Sequence, residues 1–220
     1  GSPANMAVYF ALLEPGDKIM GMSLPFGGHL THGWKVNFSA RFYKTTQYIT
    51  DRNGLIDYNA VDRMAQEEKP KIIVTGATAY SRIFDFKKCR KIADGVGAYL
   101  FADISHTAGL TAGGVYPSPF PYADVVSTTT HKTLRGPRGA IIFANRDSKI
   151  AKRHNIDIAN AVDRAVFPAL QGGPHVNQIA AVAIALHEAM RPEFKTYAAQ
   201  ILKNTKVLAT ELQKYGWKIV

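Results

Sequence analysis

The sequence predicts an α/β domain: a mostly parallel central sheet flanked by helices. Three observations carry that prediction. Short, nearly continuous apolar runs recur along the chain, and strands buried on both faces read that way instead of alternating. Segments with helical spacing separate the runs. Residues capable of chemistry fall directly behind the runs, where open parallel sheets gather their functional groups.

The elements follow in order. "PANMAVYFALL" reads as a helix beginning at Pro3, with Ser2 and free backbone amides at its start suited to an anion. Residues 17–24, "DKIMGMSL", form a first strand, and "PFGGHLTHG" behind it carries His29 and His32. Residues 36–57 read as extended chain with a turn at Asn53-Gly54. Asp57 caps a helix, "YNAVDRMAQEEK", with Val61, Met64 and Ala65 on one face. "PKIIVTGA" (70–77) is a strand followed by Thr78 and Tyr80, and "DFKKCRKIADGVG" is a helix ending at a glycine, with Cys89 half-buried on it. Strands at 98–103, 123–130 and 139–145 come next, the first followed by Asp103 and His106, the second by His131 and Lys132. Two long helices, "HVNQIAAVAIALHEAM" and "PEFKTYAAQILKNTKVLATELQKYG", close the pattern. Residues 1–192 are expected to form one domain, and 193–220 a linking helix and the start of a second.

Composition narrows the function classes. With 220 residues, 46% of them hydrophobic, the chain has enough apolar material for a substantial core. One cysteine excludes an internal disulfide framework and makes a reducing compartment the default. No apolar stretch reaches the ~18 residues of a membrane-spanning helix. The net charge of +10 raises the question of nucleic acid, but the basic residues are scattered, with no long run. Such a surface suits anionic small molecules. The sequence opens without a secretory pattern or an initiating methionine and stops at "GWKIV", and it reads as a piece of a longer protein.

"STTTHKTLRGPRG" (127–139) is the most informative stretch. Four hydroxyl residues favour a strand, and glycine with proline then forces a turn. A lysine at the end of a buried strand is costly to desolvate as an ammonium, so its amine becomes available as a nucleophile. Pyridoxal phosphate needs such a lysine, a carboxylate to keep its ring nitrogen protonated, a flat group against its ring and an anion site for its phosphate. Lys132, Asp103, His29 and the helix start at Ser2 supply those four parts. A zinc reading of His29, His32 and His106 fails on spacing, so no metal is expected. His32 reads as structural, because only His29 holds the stacking position. His154 and His187 read as ordinary surface or core residues. For His175, Tyr80, Trp34 and Tyr116, structural and contact roles both stay open.

"PANMAVYFALLEPGDKIMGM", "GGHLTHG", "AYLFADISHTAGL", "GGVYPSP", "VVSTTTHKTLRGPRGAIIF", "VFPALQGGPH" and "EFKTYAAQILKNTKVLATEL" together resemble serine hydroxymethyltransferase, in order, from residue 2 to 220. The resemblance implies the large domain of a fold-type I pyridoxal 5'-phosphate transferase, moving the serine hydroxymethyl carbon to tetrahydrofolate and leaving glycine. It implies Lys132 as the Schiff-base lysine, Asp103 as the ring-nitrogen partner and His29 as the stacking group. His106 and Thr78 are then expected against the ring's phenolic edge and the substrate, Ser2 at the phosphate, and His131, Thr129 and Arg138 around the lysine. Gly172 and Gly173 are expected to reach the cofactor phosphate of a neighbouring subunit, which implies a homodimer or homotetramer with shared sites. The implied location is the cytoplasm, or the mitochondrial matrix in a eukaryotic source. Thr78 stands where the family usually has serine, and Phe26 where it usually has histidine. The family's catalytic glutamate, two active-site tyrosines and substrate-carboxylate arginine are expected outside residues 1–220, so this chain alone is expected not to run the full cycle. A threonine aldolase or acyltransferase on the same fold, and a basic RNA-binding module, are the competing readings.

Overall fold

A computed structural model describes residues 1–219. It contains a six-stranded sheet of order β2-β1-β3-β4-β5-β6, with β1 Lys18–Met22, β2 Lys44–Tyr48, β3 Ile72–Thr75, β4 Tyr99–Asp103, β5 Val125–Thr129 and β6 Ala140–Ala144. Every neighbouring pair is parallel except β5 and β6. The helices are α1 Ser2–Leu12, α2 Phe38–Phe42, α3 Tyr58–Glu68, α4 Phe86–Val96, α5 Ala108–Ala112, α6 Lys149–Arg153, α7 Ile158–Arg164, α8 Val176–Ala189 and α9 Pro192–Lys214.

Strand alternation divides the apolar runs between two cores. Ile72, Val74, Tyr99, Phe101 and Val125 face a core closed by Val8, Tyr9 and Leu12 of α1, Ile150 of α6 and Ile158 of α7. Ile73, Leu100, Ala102 and Val126 face the other, closed by Val61 and Ala65 of α3, Phe86, Cys89 and Ile92 of α4 and Phe194 of α9. The result is helix–sheet–helix, which is why the central strands carry no polar face.

Most of the caps act as the sequence foretold. Asp57 accepts hydrogen bonds from the amides of Asn59 (2.9 Å) and Ala60 (3.2 Å), and Gly97 ends α4 at φ 69°. Residues 36–57 need a correction. Asn37 caps the short α2, whose Phe38 tilts against Tyr9, so this part is helical, and extended chain begins only at β2. Cys89 also differs from expectation. It is buried, not half-buried, and burial pushes its thiol up to about 12 despite the surrounding lysines.

The chain runs from β1 outward to β2, then returns past β1 to β3. Strand order therefore reverses between β1 and β3, and loops on either side diverge there to leave a crevice. The antiparallel return of β6 keeps the 130–139 loop at that same end of the sheet. That loop is pinned across its base: Thr130 N–H donates to Gly139 O (3.0 Å), Gly136 N–H to Thr130 O (2.7 Å) and Thr130 Oγ1 to Pro137 O (2.6 Å).

Candidate active site

A small cleft opens at the carboxyl ends of β1, β3, β4 and β5. Its lining includes His29, Thr78, Asp103, His106, Thr129 and Lys132, six of the residues singled out from sequence. Glycines permit the loops to converge. A Cβ on Gly76, at φ 128°, would strike the Asp103 carbonyl, and one on Gly28 would strike the Met22 carbonyl.

Asp103 closes β4 and is 7% exposed. Oδ2 accepts from Asn5 Nδ2 (2.7 Å) and His32 Nε2 (3.2 Å), and Oδ1 accepts from Ser105 Oγ (2.6 Å) and Ser105 N (3.1 Å). Burial alone would raise its pKa. Donation from His32, Ser105 and Asn5 outweighs burial and holds the carboxyl well below the usual carboxylate range. A fully ionised carboxylate thus stands in a nearly dry site, able to keep a cationic partner protonated.

Lys132 sits in the loop after β5, its Nζ donating to Thr129 Oγ1 (2.9 Å). Burial and the Arg138 charge lower its pKa while Asp103 opposes them, which moves the amine toward nucleophilic form. His29 is partly buried, and burial, with the charges of His32, Lys132 and His106, lowers it to about 4. His106 is lowered by burial and Lys132, and His131 by burial, Lys132 and Arg138. The His131 Nδ1 is buried without a partner. The site therefore sets imidazoles held toward their neutral form and one lysine around a single fixed anion, with the Arg138 charge beside it.

Not every expected residue reaches the cleft. Arg138 is exposed beside it, close enough to act on Lys132 through charge. Ser2 is exposed at the start of α1, and Gly1 lines the cleft in its place. Gly172 and Gly173 are exposed and do not line it. His175 precedes α8 without a capping bond, Tyr80 packs on Phe84, and the Tyr116 hydroxyl accepts from the Phe84 amide (3.1 Å). Asn5, His32 and Ser105 carry Asp103, and sequence reasoning did not place them in the site. The one available signal was an asparagine on the buried stripe of an apolar helix, where an amide needs partners.

His29, His32 and Asp103 bring ligand-type atoms within 4.8 Å of one another. Their mutual hydrogen bonds, and those to Asn5 and Thr31, account for that closeness. Among the described residues no helix is long and apolar enough to cross a membrane.

A mostly parallel sheet with one antiparallel edge strand, flanked by helices, with a lysine loop behind β5 and an ionised aspartate ending β4, gives the α/β architecture of a fold-type I large domain. Sequence comparison agrees and is more specific. The family described as serine hydroxymethyltransferase matches residues 1–220, and the chain belongs to that family. It is 56% identical over 221 residues to serine hydroxymethyltransferase of Legionella pneumophila (strain Lens), with all of this chain and 51% of the relative covered. It is 55% identical to serine hydroxymethyltransferase 1 of Pseudomonas savastanoi pv. phaseolicola (strain 1448A / Race 6) and 54% identical to serine hydroxymethyltransferase of Psychrobacter sp. (strain PRwf-1), with the same coverage. The chain spans about half the length of these curated relatives.

Proposed function

We propose that this chain carries the pyridoxal 5'-phosphate site of an enzyme that interconverts serine and glycine, with tetrahydrofolate taking the hydroxymethyl carbon. One observation carries the reading: Lys132 and the ionised Asp103 line a single cleft at the strand-order reversal. The donor set fits the cofactor. Lys132 supplies the amine that would hold it, Asp103 the anion for its ring nitrogen, and His29 a neutral flat ring. The backbone of the first turn of α1, which borders the cleft at Gly1, would serve its phosphate. When bound, the group supplies an electron sink for bond cleavage at the amino-acid Cα.

The chain's own residues prepare that chemistry. Asp103 stays ionised because four hydrogen bonds hold it so. Thr129 Oγ1 accepts from Lys132 Nζ and steers the amine toward the cleft. Thr78 and His106 are the groups proposed to meet the phenolic edge and substrate, with Thr129, His131 and Arg138 around the lysine, Arg138 acting on it through charge. The exposed Gly172-Gly173 loop is proposed to serve a neighbouring subunit's phosphate, in a homodimer or homotetramer with shared sites. Residues 1–192 are proposed as the cofactor domain, and 193–220 as the bridge to a second. A cytoplasmic location accords with the bacterial relatives. The test is tetrahydrofolate-dependent serine cleavage by the whole protein, compared with threonine cleavage. Preference for serine, abolished by Lys132→Ala, supports the reading; preference for threonine, or activity surviving that substitution, refutes it.

A further inference from the structure

Asn5 sits on α1, 1% exposed, and its carboxamide touches three separate segments behind the cleft. Nδ2 donates to Asp103 Oδ2 (2.7 Å) and Thr31 Oγ1 (2.8 Å), while Oδ1 accepts from Ser127 Oγ (2.8 Å). The orientation is forced. An ionised carboxylate only accepts, so the amide nitrogen must face Asp103 and the oxygen must face Ser127. Thr31 Oγ1 then receives one of the amide hydrogens, which sends the threonine's own proton to its remaining neighbour, His29 Nδ1, at 2.8 Å. The Thr31 amide points at the same nitrogen from 3.2 Å. Nδ1 of His29 is thus an acceptor, and the ring is neutral with its proton on Nε2. The 29–32 loop is held in place for this by the Tyr9 hydroxyl, which donates to Thr31 O (2.8 Å).

We propose that Asn5 is a positioning residue that couples the acid to the stacking imidazole: one carboxamide aims Asp103 and, through the Thr31 hydroxyl, fixes the tautomer of His29. This rests on the cofactor reading above for its purpose. A ring nitrogen kept protonated by Asp103 makes the cofactor ring electron-poor, and an uncharged imidazole stacks on it without repulsion. The charged and titratable groups facing His29 are His32, Asp103, Lys132 and His106, and all but Asp103 disfavour a second proton there.

Histidine ¹⁵N and carboxyl ¹³C NMR of this chain without cofactor tests the coupling. In the parent, His29 is expected to titrate near 4 with Nδ1 as acceptor, and Asp103 to stay ionised in acid. In Asn5→Leu both signals should move together, the His29 ¹⁵N shifts losing the single tautomer with Nδ1 as acceptor and Asp103 titrating at higher pH. In Thr31→Val only the His29 signal should move. An Asn5→Leu chain that folds with either signal unmoved overturns the proposal. Should Asn5→Leu fail to fold, Ser127→Ala removes only the hydroxyl that orients the amide; both signals should then shift in the same directions by less, and unmoved signals overturn the proposal. In the whole protein, Asn5→Leu should weaken pyridoxal phosphate binding about 10- to 100-fold, the loss of one hydrogen bond to a charged group. If the parent protein binds no pyridoxal phosphate, the cofactor reading fails while the NMR result still decides the coupling.

Discussion

Asp103→Asn is a near-isosteric change with a large expected cost. The carboxylate receives four hydrogen bonds, two on each oxygen, all from donors. An asparagine there keeps one acceptor oxygen and must turn an N–H₂ toward one of the two donor pairs. Facing Asn5 and His32 it meets a donor that cannot reverse, because His32 Nδ1 already accepts from the His29 amide (3.4 Å) and Nε2 must keep its hydrogen. Facing Ser105 it finds a hydroxyl able to accept but leaves the buried Ser105 N–H orphaned. An orphaned buried amide costs about 1–3 kcal/mol, and the surviving bonds lose charge assistance worth roughly 1 kcal/mol more each. With the Asn5 and His32 bonds surviving, the sum is about 3–5 kcal/mol, read as a fall in urea midpoint at pH 7 with unchanged slope. The difference has a defined pH dependence. The folded carboxyl ionises below its unfolded value of about 3.9, so its stabilisation is complete above that pH and disappears as pH falls through the folded value. The gap between parent and variant should therefore narrow in strong acid. A variant within about 0.5 kcal/mol of the parent at pH 7, well inside the range of neutral surface changes, would refute the hydrogen-bond accounting.

Three further outcomes follow from the same geometry. His29 ionises near 4 when folded and near 6.5 when free, so the unfolded chain takes up the proton first; stability should fall by roughly 1–2 kcal/mol between those pH values, after allowing for the ring's partial exposure, and His29→Gln should flatten that slope in thermal melts. Arg135, at φ 60°, lies over Tyr197 (4.3 Å) and Phe194 (5.4 Å), tying the lysine loop to α9; Arg135→Ala should cost about 0.5–1 kcal/mol and speed hydrogen exchange around residues 194–198, and unchanged exchange there would contradict the tie. Cys89 should resist iodoacetamide in the native chain and react on unfolding, whereas native labelling would contradict its buried, protonated state.

The legible parts of this fold were those governed by local pattern. β1, β3, β4 and β5 announce themselves because burial on both faces demands continuous apolarity, β6 is an apolar run on a partly exposed edge, and Asp57 and Gly97 mark helix ends through backbone chemistry that needs no tertiary context. β2, "KTTQY", was read only as extended chain; as a sheet edge it is half-exposed and can be polar. α2 escaped because five residues are too few to show a period, and its asparagine cap resembles a turn signal. In the site, Lys132, Asp103 and His29 stand out because each follows a strand. His32 reads as structural because only His29 holds the stacking position, and its role stays hidden because it acts through Asp103, 71 residues away in sequence. Asn5 and Ser127 meet across 122 residues, a pairing that no linear spacing encodes.

The most direct test of the cofactor site is borohydride trapping in the whole protein with pyridoxal phosphate, followed by peptide mass mapping. A stable pyridoxyl label confined to Lys132, lost in Lys132→Ala and weakened in Asp103→Asn, is the predicted result. A label spread over surface lysines, or none at position 132, would contradict the account.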